Sequence, residues 1–285
     1  MKKLFFSLII ILLSATAYNC GNTPEAPTPQ PSTSTPKATL TTEPTITLRS
    51  TETPPPTVAS TPVPITKFSV EEVAFTTEDD VELAGTFFLS EGDGSTAVVL
   101  AHMAGESDQE DWKPFAKEIA RRGISAVTFD FRCYGLSGCS GGSGPLSSID
   151  LGAVIKFLHE QGFQQIICMG ASMGGRGCIS VAFDEELAGL IIISGTGASE
   201  SDRQNLNDFL SPAMPKLFVV ASSDSIAGRT QAMTDLFESA PEPKTFELLS
   251  GSAHGTELFS SKHKEALQNT IFDFLEKIRF SAQEN

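Results

Sequence analysis

The stretch Gly170-Ala171-Ser172-Met173-Gly174 constrains this chain more than any other. The apolar run 164–169 before it has the pattern of a short buried strand, and the small residues of 175–183 after it read as a helix. A Gly-x-Ser-x-Gly element between a strand and a helix forces the serine into a tight bend, with glycines on either side so that the two backbones can pass. Such strained bends persist only where their surroundings over-determine them, and they mark reactive sites. Gly and Ser are common, so it is the strand–turn–helix setting that makes Ser172 a candidate nucleophile.

A serine hydroxyl needs a base to take its proton. The chain has four histidines. His159 falls in a helical pattern and His263 between two lysines, Lys262 and Lys264, so both read as solvated surface residues. His102 follows the apolar strand 96–101 and reads as shaping the loop after it. His254 stands in the small-residue loop 250–255 after a strand ending at Leu249, where an imidazole is free to reach a neighbouring strand end. The base in turn needs a carboxylate to fix its tautomer. Asp224 closes the apolar run 216–221 and is the candidate, ahead of Asp202 and Asp208, which sit in a polar stretch with no strand before them. Acyl transfer also needs donors for an oxyanion. The N–H of Met173, directly after the nucleophile, is one. The amide of Ala104, or that of Met103, in the loop after 96–101 is the other.

Taken together, residues from about 70 to 280 resemble an α/β-hydrolase of the serine esterase or dienelactone hydrolase type. His102-Met103-Ala104-Gly105 resembles that family's oxyanion loop, and Asp130-Phe131-Arg132-Cys133-Tyr134-Gly135-Leu136-Ser137 its Asp-x-Arg-Gly-x-Gly-x-Ser segment. The chain order Ser172, Asp224, His254 is the family's order. Met103 and Cys133 stand where the family usually carries glycine, so the turn at 133 must be fixed without one.

The same class follows from the pattern of elements. Residues 72–76 and 81–89 read as a hairpin; helices at 112–122, 148–161, 227–239 and 262–278 alternate with strands at 124–129, 187–193 and 216–221. Continuous apolar runs such as Leu190-Ile191-Ile192-Ile193 suit strands buried on both faces, hence a mostly parallel central sheet; the resemblance implies that this is an α/β-hydrolase fold with helices on both faces. Sites in such sheets lie at the carboxyl ends of the strands, where Ser172, Asp224, His254 and the 102–105 loop all fall. The only room for a lid is 195–212, which implies a minimal one.

Residues 1–20 read as a signal peptide: Lys2 and Lys3 precede a ten-residue apolar core, 4–13, too short to span a bilayer. Cys20 suggests lipidation, with Asn19 before it unusual for such a site. Residues 21–64 hold 11 of the 17 prolines and read as an extended spacer, leaving 65–285 as the catalytic domain. With 32 acidic and 16 basic residues and no basic cluster, that domain is not expected to bind nucleic acid. Membrane contact is expected only through a lipid on Cys20. Four cysteines remain. In an exported chain Cys133 and Cys139 are placed to pair across a glycine-rich turn, which would also account for the missing glycine at 133. Cys168 and Cys178 read as separate, buried packing thiols. Neither a metal site nor a cofactor is implied, and the expected partner is a small acyl substrate. The expectation is an exported hydrolase cleaving an ester-type bond, with peptidase, thioesterase or a non-catalytic binding protein as alternatives.

Overall fold

The computed structural model describes residues 65–92, 94–139, 147–195 and 214–281. The expected leader 1–20, Cys20, the spacer 21–64, Asp202, Asp208 and nearly all of the 195–212 lid segment lie outside them.

The described residues start with an antiparallel pair, β1 (Phe68–Thr76) and β2 (Glu82–Ser90). Strands and helices then alternate: β3 (Thr96–Ala101), α1 (Lys113–Arg121), β4 (Ser125–Phe129), α2 (Ser147–Glu160), β5 (Gln165–Ala171), α3 (Met173–Val181) and β6 (Gly189–Ile193). After these come β7 (Lys216–Ala221), α4 (Arg229–Ser239), β8 (Lys244–Leu249) and α5 (Lys264–Ser281). The strands form one sheet in the order β1-β2-β4-β3-β5-β6-β7-β8, antiparallel at β1–β2–β4 and parallel from β4 onward. This is the α/β-hydrolase fold expected from the sequence.

Strand alternation decides what each face carries. Ala97, Val99, Ile166, Cys168, Leu190, Ile192, Phe218 and Val220 point to one layer, which α2, α3 and α4 cover. Their neighbours Val98, Leu100, Ile167, Met169, Ile191, Ile193, Leu217 and Val219 point to the other, covered by α1 and α5. A strand buried on both faces has no polar side to show, hence the unbroken apolar runs. The helices keep a single apolar stripe: Leu151, Val154, Ile155 and Leu158 of α2 are fully buried at helical spacing.

Several boundaries differ from expectation by a few residues, and two of them carry a physical reason. β1 begins at Phe68 rather than 72, although Ser69, Val70 and Glu71 are exposed; pairing with β2, not burial, makes this edge strand. The strand before the serine runs on to Ala171 and the helix after it begins at Met173, so the whole bend is one residue, Ser172.

The segment Asp130–Ser137 is tied down by buried charge. Arg132, 2% exposed, donates from its backbone N–H and Nε to Asp150 of α2 and from both Nη atoms to Asp79 in the β1–β2 turn. Those hydrogen bonds, with one from Thr77, hold the Asp79 carboxyl well below the usual carboxylate range. A carboxylate with a depressed folded-state pKa contributes stability that is complete above about pH 4 and lost as the pH falls below it. The melting temperature of Asp79→Asn is therefore expected to lie below wild type at pH 7, with the gap narrowing towards pH 2. A gap of constant size across that range would show that the Asp79–Arg132 pairing contributes nothing.

Candidate active site

β5, β7 and β8 end at the same edge of the sheet, and the three residues singled out above leave from those ends. Ser172 has φ 49° and ψ −108°, a left-handed backbone that L side chains rarely adopt. It is held there by its N–H, which donates to Ile193 O at 2.9 Å, and by the close approach of strand and helix. A Cβ on Gly170 would overlap the backbone of Gly174, and one on Gly174 would overlap the carbonyl of Ala101 in β3. Only glycine fits both places, which is why the motif carries them.

Asp224 and His254 meet. The His254 Nδ1–H donates to Asp224 Oδ1 at 2.8 Å, with Oδ2 at 3.1 Å, and Oδ1 also accepts from the Ile226 N–H at 3.0 Å. The two loops are laced together: Ser222 N–H donates to Leu249 O, Ser223 N–H to Gly251 O and Ser225 N–H to Ser252 O, at 2.7–2.9 Å. Glu257 adds a further tie, its Oε2 accepting from the His254 N–H at 3.0 Å. Sequence reading missed Glu257; its signal is an acid three residues after a helix-capping position. The His254 loop also reaches the bend. A Cβ built on Gly255 would stand 3.5 Å from the Cβ of Ala171, the residue before Ser172, and against Met103 Sδ. Ser172, Asp224 and His254 are each 8–9% exposed, buried yet still open to solvent.

Met173 is the first residue of α3, so its N–H has no helical acceptor. Ala104 is exposed in the loop after β3. His102, fully buried, shapes that loop as expected: its Nδ1–H donates to Met103 O at 2.7 Å and its Nε2 accepts from the Phe131 N–H at 3.0 Å. Burial pushes its pKa down, so the ring stays neutral and keeps one donor and one acceptor. Asp130, also buried, accepts from the Gln109 and Leu136 N–H groups and from Gln109 Nε2, joining the loop after β3 to the 130–137 segment. His159 and His263 take no part: Nδ1 of the first meets Phe163 O at the end of α2, and Nε2 of the second meets the exposed Ser250 hydroxyl.

A cleft of about 650 Å³ opens beside Met103 and is lined by Asp111, Phe115, Thr256, Glu257 and Phe259. A larger one of about 1000 Å³ lies against α2, lined by Thr77, Glu78, Lys156 and His159 among others, and contains none of the site residues.

The cysteines require a correction. Cys133 and Cys139 are bonded, as expected, and Cys133 itself takes φ 65°. The turn therefore keeps a left-handed residue without glycine, and the bridge closes it. Cys168 and Cys178 are not separate thiols but a second disulfide. α3 folds back over β5 so that their Cα atoms lie 5.6 Å apart, within bridging distance. The overlooked signal was the even count of cysteines in a chain read as exported.

Residues 94–278 match the alpha/beta hydrolase domain family. The chain belongs to that family. Solved alpha/beta hydrolases of low identity share its fold. An esterase from Pyrococcus furiosus matches at 20% identity and TM-score 0.59, covering 74% of this chain and 93% of its own. A thermophilic esterase from Thermogutta terrifontis, solved with malate bound, matches at 18% and 0.57, covering 73% and 99%. A predicted CIB-like hydrolase from Thermoplasma acidophilum matches at 16% and 0.61, covering 74% and 100%. None of the curated proteins matches the sequence.

Proposed function

We propose that this alpha/beta hydrolase is a serine hydrolase that cleaves carboxylic ester-type bonds. The observation that carries the reading is the Asp224–His254 hydrogen bond, with the adjoining Gly255 seated on Ala171 beside the strained Ser172. With Nδ1 engaged by Asp224, Nε2 is the ring nitrogen left to take the Ser172 proton. The Ser172 Oγ attacks the acyl carbonyl, forming the C–O bond of a tetrahedral intermediate. The N–H groups of Met173 and Ala104 are assigned to its oxyanion. The imidazolium then returns the proton to the leaving alkoxide as the ester C–O bond breaks, and a water molecule, deprotonated by the same nitrogen, releases the acid from the acyl-enzyme. Two of the similar solved structures named above are esterases, which favours an ester over an amide or thioester substrate.

A fluorophosphonate probe is expected to label Ser172, with no label on Ser172→Ala at an unchanged melting temperature. Asp224→Asn is expected to lower kcat on p-nitrophenyl acetate by up to about 10⁴-fold, because the imidazole loses its tautomer partner. A folded wild-type domain that neither labels nor turns over would instead support a binding role.

We further propose that the chain is exported and anchored through a lipid on Cys20. Two disulfides inside one domain support an oxidising compartment. Fractionation is the test: Cys20→Ala should move the protein from the membrane fraction to the soluble one, and a variant that stays with the membrane rules out the lipid on that residue.

A further inference from the structure

We infer that the Cys168–Cys178 disulfide is a positioning device for Ser172, a covalent clamp on the strand and helix that flank the nucleophile. The inference rests on the reading of Ser172 as the nucleophile.

The bend is poorly held by its own sequence. The first five residues of α3 are Met173-Gly174-Gly175-Arg176-Gly177, and glycine is a weak helix former. Ser172 occupies the N-cap position, yet its side chain makes no capping bond to the helix. Neither feature is free to change, since a side chain at 174 would strike β3 and the serine hydroxyl is needed for chemistry. The start of the helix that presents the nucleophile thus lacks both good propensity and a cap, while Ser172 must be kept at a φ it does not prefer.

The bridge supplies what the sequence withholds. Cys168 sits four residues before Ser172 in β5, paired in register with Val99 of β3 and Leu190 of β6, in the most enclosed part of the sheet. Cys178 sits six residues after Ser172, in the second half of α3. The ring they close contains the whole bend and every glycine of the helix start. Both are fully buried in the layer beneath α2 and α3, so the clamp pulls the helix onto the sheet rather than stapling a surface loop. The Cys133–Cys139 bridge differs on both counts: its cysteines are exposed and it closes a loop outside the bend.

A purely structural bridge would change stability alone, whereas a clamp on the nucleophile changes the chemical step. The test is Cys168→Ala/Cys178→Ala, compared with wild type at a temperature where both are folded by circular dichroism. Amide hydrogen exchange at residues 173–178 is expected to speed up about tenfold or more while the amides of β3 and β6 keep their protection. On p-nitrophenyl acetate kcat is expected to fall about tenfold with KM changed less than twofold, since a misplacement of ~1 Å costs up to about a hundredfold in rate. Mild reduction of wild type, opening only the exposed 133–139 bridge, should leave exchange at 173–178 unchanged. Unchanged exchange at 173–178 overturns the inference, and so does faster exchange with an unchanged kcat. If the double alanine variant does not fold, Cys168→Val/Cys178→Ala is measured in its place. Failure of both to fold overturns the inference, because the bridge then holds the whole domain rather than the bend. If wild type itself shows neither label nor turnover, the nucleophile reading has failed, and exchange alone decides whether the bridge holds the bend.

Discussion

Parallel pairing of β7 with β8 does not stop at the edge of the sheet. The register that sets Ala221 beside Leu249 continues through the backbone bonds from Ser222, Ser223 and Ser225 into the 249–252 loop. Two loops that would otherwise wander independently leave the sheet as one unit, so Asp224 and His254 face each other without either side chain having to search. Small residues permit this, since Ser222, Ser223, Gly251 and Ser252 put no bulk between the backbones. Glu257 completes the arrangement by holding the His254 N–H, which fixes the residue carrying the imidazole as well as the ring.

The other half of the site depends on polar groups that are buried or partly buried. An unsatisfied buried donor or acceptor costs about 1–3 kcal/mol, so a network such as His102–Met103–Phe131 with Asp130–Gln109–Leu136 has few alternative arrangements of similar energy. His102 is the central case. Its ring bridges one loop's carbonyl and another segment's N–H, and it packs edge-on against Phe131 and Tyr134 with centroids 5.0 and 4.9 Å away. A charged imidazole would have two donors and would leave the Phe131 N–H facing another donor. Burial, by favouring the neutral ring, preserves the bond pattern that shapes the loop after β3.

How much of this was legible in the letters depends on whether the cause was local. Strand runs such as 190–193 and the helical spacing of Leu151, Val154, Ile155 and Leu158 declare themselves within ten residues, and so did the fold class. Ser172 was legible because a one-residue bend needs glycines within two positions on either side. The Cys168–Cys178 bridge was not, because a cysteine in an apolar strand has the same pattern as a small aliphatic residue. What makes it a partner is the return of α3 over β5, a tertiary fact. Asp79 and Asp150 were hidden for the same reason: each meets Arg132 across a distance that only the closed sheet brings together, 53 and 18 residues along the chain.

The left-handed non-glycine residues show where the fold accepts local disagreement with its sequence. Among the described residues they are Asp80, Cys133, Ser172 and Ser194. Asp80 lies in the β1–β2 turn, where such a backbone is routine for aspartate. The other three gather at the carboxyl edge, and each is held by something other than its own preference. Cys133 is held by a bridge, Ser172 by its N–H to Ile193 and the glycine contact beneath it. Ser194, next in line after Ile193, is held by its N–H to Val219 O at 2.8 Å. Ser194 is also fully buried, and among the described residues its hydroxyl has no hydrogen-bond partner. It directly follows β6, the strand between those that carry Ser172 and Asp224. A fold selected for stability alone would place a glycine there. Strain kept at this edge, rather than spread over the sheet, is what the proposed reactive site would demand.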